Sequence, residues 1–333
     1  MKTVMIFGAT GTLGTYLVDH LYEKKYKIWA IGNRNVKEDY YSRRGINCAK
    51  IDISNKDDFE KLPQSDVDSI VLISGAMPSR MVGYNPQKYI DINITGTLNV
   101  LEYCRRIKVS QFLFTQSHSD VSGYWNTGEY IKPDAPRKIN LKGDHAVYII
   151  SKNAAVDLIE HNRLSYGIKT FIFRLPTIYN YRPIYDMYVN GENVKVGYYT
   201  FIHNAINSKS IEIWGDPSKA KDIVYVKDFN QMITKAIESN LAKGFYNVAF
   251  GSPTTLDEQV KGIIDVFSPK ENPSKIIYCY EKRSQDSYLY DIENSKVELG
   301  YQPEYSYIKM LEDMKNEMNG NRFDHLVGCD VTI

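Results

Sequence analysis

Short apolar runs alternate with stretches of helical periodicity through the first half of the chain. Val4–Phe7 is apolar and breaks into glycines at positions 8, 11 and 14, and the spacing of Tyr16, Leu17, His20 and Leu21 predicts a helix directly behind them. Lys27–Ile31 predicts a second strand that closes a βαβ unit, Ala49–Ile53 a short third strand, and Asp57–Leu62 a helix. The run Ser69–Ser74, SIVLIS, has the character of a buried parallel strand. Tyr89–Ile107 alternates as a long helix with Ile90, Ile94, Leu98 and Leu101 on one face, followed by a strand at Gln111–Thr115. A long helix over Ala146–Leu164 and a sixth strand over Thr170–Leu175 complete the series. This rhythm predicts an α/β fold, a doubly wound parallel sheet with helices on both faces.

From about Pro176 the rhythm changes. Loops lengthen and grow rich in Tyr, Asn and Gly, with helical patterns at Phe201–Ser208, Phe229–Ser239, Leu256–Val266 and Ile308–Met318 and short strands at Ile211–Trp214 and Ile223–Val226. With no repeat and no low-complexity linker, the second half is expected to form a smaller C-terminal α/β lobe packed on the first. The expected division is residues 1–175 for the sheet domain, 176–319 mainly for a substrate lobe, and a poorly ordered tail over 320–333.

Length and charge narrow the classes. A chain of 333 residues can bury a full core. Its 41 basic and 40 acidic residues nearly cancel, which leaves no electrostatic footprint for nucleic acid or a membrane surface. No apolar run approaches the ~20 residues of a membrane span. The opening MKTVMIF enters the first strand without the pattern of a signal peptide, so a cytoplasmic protein is expected. Cys48, Cys104, Cys279 and Cys329 are scattered without metal-ligand spacing, which predicts reduced thiols and no metal site.

Two constellations carry chemistry. In TVMIFGATGTLG, residues 3–14, glycines at the end of the first strand permit a tight turn and close approach of a pyrophosphate to the start of the next helix. Tyr148 and Lys152 stand four apart in the helical segment HAVYIISKNAAVDLIEH, which places them on one face. An ammonium beside a phenol lowers the phenol pKa from ~10 toward a value useful for proton transfer.

With these residues in view, the chain resembles the extended short-chain dehydrogenase/reductases of the nucleotide-sugar epimerase/dehydratase kind, from about residue 2 to 315. GATGTLG (Gly8, Thr10, Gly11, Thr12, Leu13, Gly14) resembles the family's first-turn fingerprint on a Rossmann fold, Asp52-Ile53 the adenine pair, and Ser74-Gly75-Ala76 the strand end beneath the cofactor. Asn93 with Gly96-Thr97 and Asn99 resembles the N-x-x-G-T-x-N helix. FRLPTIYN, with Pro176 as a further cofactor contact, resembles the stretch after the sixth strand. Ile213–Asp216, Lys221–Asp228, Phe245–Val248 and Arg283–Asp286 follow in the family's order.

The resemblance implies a nicotinamide that takes hydride from a sugar carbon, usually C4, while Tyr148 removes the hydroxyl proton and Lys152 holds the ribose. A serine or threonine shares that proton network. Strand register assigns this role to Ser117; counting back from Val121-x-Gly123 points instead to His118, which is otherwise a loop histidine able to bind substrate or to titrate near neutrality. Lys221 stands at the diphosphate-facing cation position and Arg283 at the second. Thr177, Tyr179, Tyr198 and Tyr199 either line the sugar pocket or belong to the core.

Departures from the pattern refine the expectation. The dehydratase Asp-Glu pair is missing, since His118-Ser119 follows Ser117 and only Asp120 is acidic. Gly32 stands where NAD-binding members carry Asp, with Asn33 and Arg34 next; this favours NADP over NAD, the alternative being Arg34 stacked on adenine. The leading expectation is a nucleotide-sugar epimerase. A 4-keto-sugar reductase using exchangeable NADPH comes second, and a nucleotide-sensing scaffold is the non-enzymatic alternative. The helices Tyr89–Ile107 and Ala146–Leu164 resemble those that pair across a homodimer in the family.

Overall fold

Along Thr3–Phe7 (β1) successive side chains point to opposite faces, and both faces are apolar: Val4 and Ile6 join one core cluster, Met5 and Phe7 another. A strand buried on both sides belongs inside a covered parallel sheet, and β1 lies there. The computed structural model describes residues 1–37, 39–143, 145–184, 186–189 and 192–326. Its main sheet adds Lys27–Gly32 (β2), Asn47–Lys50 (β3), Ser69–Leu72 (β4), Gln111–Ser117 (β5), Lys169–Leu175 (β6) and Lys243–Asn247 (β7). All neighbours are parallel in the order β7-β6-β5-β4-β1-β2-β3. The order reverses between β1 and β4, and in such sheets ligands bind outside the carboxyl ends of the strands at that reversal.

Helices Thr12–Glu23 (α1) and, later in the chain, Val226–Glu238 cover one face, while Gly96–Arg106 and His145–Tyr166 cover the other. The first face continues without a break into the C-terminal lobe, where helices Gly197–Ile206, Leu256–Phe267 and Tyr307–Glu317 pack together. Short paired strands tie the lobe down: Val224–Tyr225 beside Ile178–Tyr179, and Leu289–Tyr290 beside Tyr130–Ile131.

Four expectations need correction. The seventh strand, Lys243–Asn247, belongs to the main sheet and not to the smaller lobe; its KGFYN pattern carries a glycine and an exposed lysine and gives a weak strand signal. The third strand lies earlier than expected, because Ile51 and Ile53 are buried in the turn beyond the ladder, where Ser54 N donates to Asp52 Oδ1. The helix over 89–107 contains a wider-wound π segment at Ile90–Thr95, which rotates the buried face. Tyr89, Asn93, Thr97, Val100 and Leu101 face the protein, whereas Ile90 and Ile94 are half-buried and Leu98 is 40% exposed.

The fourth concerns the tail. Residues 321–326 are docked: Phe323 and His325 are buried, Arg322 pairs with Asp19 and Glu317, and Asp324–Leu326 forms a 3-10 turn. Residues 327–333, with Cys329, lie outside the described residues, among which Cys48, Cys104 and Cys279 are free thiols. No helix among the described residues is long and apolar enough to cross a membrane, and none of their His, Cys, Asp and Glu side chains gather in a group of three or more that could hold a metal.

Candidate active site

The glycine turn is built by close approach. Gly8 has φ +103°, and a Cβ there would stand 2.7 Å from the Ser74 nitrogen. A Cβ on Gly14 would overlap the Gly8 carbonyl, so α1 can start only against a bare backbone. Gly11 caps α1 without a side-chain hydrogen bond, and the first turn carries no acidic residue. The amino end of α1 thus offers unanswered N–H groups and a positive dipole end. Beside it the Ser74 hydroxyl is buried without a hydrogen-bond partner. Gly75 has no side chain because Asn93 Oδ1 would lie 3.0 Å from its Cβ. This bare, donor-rich cradle fits the diphosphate of a dinucleotide.

Asn93 is buried and bonds Ala76 twice, accepting from its nitrogen at 2.8 Å and donating to its oxygen at 3.0 Å. It also donates to Ser151 Oγ at 2.9 Å, and Ser151 Oγ donates to the Tyr148 carbonyl at 2.7 Å. One amide therefore fixes the end of β4 to the helix that bears Tyr148.

At the end of β2 a side chain on Gly32 would overlap that of Thr10. Arg34 is half-buried with Nη1 3.4 Å from the Thr10 carbonyl, and Asn33 is exposed. Asp52 is exposed and Ile53 is buried beneath Gly96, while Asn99 Nδ2 donates to the Ile53 carbonyl at 2.9 Å.

Tyr148 and Lys152 lie on one face of His145–Tyr166, and the Ser117 side chain faces the Tyr148 phenol. Burial pushes the Tyr148 phenol up, and the Ser117 side chain opposes this. The charge of Asp120 adds to the rise, and Lys152 stands one helical turn further along the same face. Its Nζ turns to the Thr115 carbonyl at 2.5 Å and stands 4.0 Å from the centre of the Phe114 ring. Only 6% exposed, Lys152 is pushed down to about 7 by loss of water.

After Ser117 the chain makes a 3-10 turn, His118–Tyr124, which Ser117 Oγ caps by accepting from Ser119 N at 3.2 Å. His118 is not a solvated loop residue. Its Nδ1 lies 2.8 Å from the Tyr290 hydroxyl, and its ring sits 4.7 Å from Trp125 and 4.9 Å from Tyr288. Loss of water, aided by Lys221 and Arg174, lowers its pKa to about 3, so it stays neutral and does not titrate near neutrality. Asp120, 2% exposed, forms a forked pair with Arg174 at 2.9–3.1 Å.

Tyr288 gathers the substrate-side candidates. The Thr177 side chain faces its hydroxyl, Lys221 Nζ lies 5.7 Å from its ring centre, and His118 packs on its edge. Pro176 is buried beside Thr177, which is exposed. Tyr179 is a correction: it is buried, stacked on Tyr198 at 4.1 Å, and Tyr198 stacks on Tyr199 at 4.3 Å. The hydroxyls of Tyr198 and Tyr199 donate to the Asn180 carbonyl, so this trio belongs to the core. Arg283 is exposed on the segment where Ser284 packs against Gly215, apart from the Tyr288 group.

The sequence profile of the NAD dependent epimerase/dehydratase family matches residues 4–249. The chain belongs to this family. It is 27% identical over 321 residues to a Methanocaldococcus jannaschii protein provisionally assigned as a UDP-glucose 4-epimerase, covering 96% of this chain and 99% of that one. It is 22% identical over 312 residues to a UDP-glucuronate 4-epimerase of Thermodesulfobacterium geofontis, covering 93% and 88%. In structure it resembles the UDP-glucose 4-epimerase of Thermotoga maritima solved with UDP-glucose, at a TM-score of 0.74 and 18% identity over 96% of this chain and 100% of that one. These likenesses agree with the Rossmann sheet described above.

Within this epimerase/dehydratase chain, sequence reasoning missed Trp125, Tyr288 and Tyr290 around His118, the partner of Asp120, and the contact of Thr10 with Gly32. The alternation of Tyr288 and Tyr290 in SYLY was the one available signal, since residues two apart on a strand share a face.

Proposed function

We propose that the chain is a nucleotide-sugar epimerase that works through a keto-sugar, oxidised at C4 and reduced again from the other face. The observation that carries this reading is the convergence of Tyr148, Ser117 and the buried Lys152 at the carboxyl end of β5, where Lys152 Nζ is held on the Thr115 carbonyl. A nicotinamide dinucleotide, when bound, supplies the acceptor and donor of hydride. Tyr148 Oη takes the proton of the sugar hydroxyl and returns it, Ser117 holds that hydroxyl in line, and Lys152, one helical turn away, provides the cation a phenolate needs. Asp120 is committed to Arg174, which leaves no free carboxylate next to Ser117 for the elimination of a dehydratase.

On the substrate side we assign Thr177, Lys221 and His118 to the sugar diphosphate and Arg283 to the outer phosphate or base. The Rossmann part, through residue 175 and joined by β7, would hold the dinucleotide; most of 176–319 would hold the nucleotide sugar. NADP is favoured over NAD because Thr10 fills the place of the ribose-binding carboxylate and Arg34 stands next to it. The same observation favours a second reading, a keto-sugar reductase with exchangeable NADPH. We further propose a homodimer through the two helices whose outer faces expose Leu98 at 40% and Ile150 at 43%; sedimentation that shows only monomers refutes it.

The deciding experiment incubates the purified chain with a panel of UDP-, GDP-, CDP- and TDP-sugars with and without added NADPH. Epimer formation without net NADPH consumption supports the epimerase, and stoichiometric consumption supports the reductase. Tyr148→Phe should keep dinucleotide binding and lose about 10²–10⁴-fold in turnover. Full activity in that variant overturns the assignment of the base.

A further inference from the structure

The docked tail reaches the adenosine end of the dinucleotide site, and three contacts make the link. The His325 ring stacks on Tyr40 at 3.9 Å with planes 7° apart, and meets Tyr41 edge-on at 5.7 Å. The His325 carbonyl accepts from the Lys37 nitrogen at 3.2 Å, in the connection that carries Asn33 and Arg34. Tyr41 is buried, and its hydroxyl points back to the Ala9 carbonyl at 3.5 Å, inside the glycine turn itself.

The tail is anchored before it gets there. Arg322 pairs with Asp19 on α1 and with both oxygens of Glu317 at 2.8 Å, and lies over the Tyr16 ring at 4.5 Å. Asp19 also holds Arg44 at 2.7 Å, and Arg44 bonds the Tyr40 hydroxyl at 3.0 Å. Phe323 inserts between Tyr16 and Tyr181, edge to face at 5.7 and 6.2 Å. A segment with this many buried partners is a strap and not a fraying end.

We infer that Arg322–Leu326 is a strap that braces the connection between β2 and Asp39–Ser42, and that His325 is a positioning residue for the adenosine half of the bound dinucleotide. The inference rests on the dinucleotide reading above. His325 touches no ligand; it acts by fixing Tyr40, Tyr41 and the backbone at Lys37, so that Arg34 and the glycine turn meet the ligand already in place. Burial lowers the His325 pKa to about 4, so the ring acts as a neutral stacking surface in neutral solution. A loop ordered in advance binds more tightly than one ordered by its ligand.

The test uses the full chain with NADP⁺ and NAD⁺ as probes. His325→Ala should weaken binding of the preferred dinucleotide about fivefold, the worth of one aromatic stack, and His325→Phe should restore most of it. Wild-type affinity in His325→Ala, or a phenylalanine variant as weak as the alanine one, overturns the role of the ring. Hydrogen exchange on the wild-type chain decides independently of how the variants fold. Because linkage is reciprocal, adding the dinucleotide should slow exchange at 323–326 as well as at 33–42. Protection at 33–42 alone overturns the strap and leaves the dinucleotide reading standing; a wild-type chain that binds neither probe overturns both.

Discussion

Replacing Lys152 by Met should stabilise the protein while it destroys turnover. The ammonium is buried, and loss of water moves its pKa from 10.5 in the unfolded chain to about 7 in the folded one. A difference of about 3.5 at 1.36 kcal/mol each is on the order of 5 kcal/mol, all of it from loss of water. The sign follows from proton counting. Between pH 7 and 10.5 the unfolded chain holds more protons at this site, so stability from this group falls as the pH drops through that window and is flat below it. Methionine has nearly the same length, no charge and an adaptable thioether. Urea unfolding followed by tryptophan fluorescence should find Lys152→Met more stable by about 4.5 kcal/mol at pH 6.5 and only about 2 kcal/mol at pH 9. Taking the difference between the two proteins cancels the other titrating groups. A gap that stays constant over that range, or a variant less stable at pH 6.5, refutes burial as the cause of the low pKa. On the proposed function, that cost is offset by the chemistry Lys152 serves at the site.

Other consequences follow from single contacts. Asp120→Ala leaves Arg174 buried without its carboxylate and should cost about 3–5 kcal/mol in urea unfolding, much of it regained when Arg174→Met is added. Gly14→Ala places a methyl group against the Gly8 carbonyl, so titration with NADP⁺ or NAD⁺ should show binding lost. Gly32→Asp alone should not raise NAD affinity, because the new side chain meets Thr10; Gly32→Asp with Thr10→Gly should shift preference from NADP to NAD in parallel titrations.

What could be read from the sequence depended on how few residue types a position tolerates. Gly8 and Gly14 are legible because a left-handed φ or a backbone in contact admits only glycine. The facing of Tyr148 and Lys152 follows from helix geometry alone. The strands β1, β4, β5 and β6 are legible because burial on both faces demands a continuous apolar run. β7 is not, since Lys243 and Gly244 mask it, and its assignment to the sheet depends on pairing with residues 170–174, far away in the chain. The face of the helix over 89–107 was legible only in part: Leu101 is buried as its spacing predicts, while Ile90, Ile94 and Leu98 lie in or just after a wide turn that a fixed period cannot anticipate.

The tyrosines separate the two kinds of information most sharply. Tyr179, Tyr198 and Tyr199 have the composition of a sugar pocket and the geometry of a core, because a phenol is both a large apolar body and a hydrogen-bond donor. In this chain the donor often closes a backbone carbonyl: Tyr103 on Pro63 at 2.6 Å, Tyr301 on Ala249 at 3.0 Å, Tyr307 on Gln259 at 3.0 Å. Twenty-seven tyrosines in the sequence are therefore in good part a way of packing irregular loops without stranding polar backbone. Tyr148 differs in the partner of its hydroxyl, a serine side chain and not a carbonyl. A phenol tied to a carbonyl can only donate; one that meets a hydroxyl can also accept. In the proposed reaction that contact lets Tyr148 take and return a proton, whereas Tyr103, Tyr301 and Tyr307 spend their hydroxyls on closing backbone carbonyls.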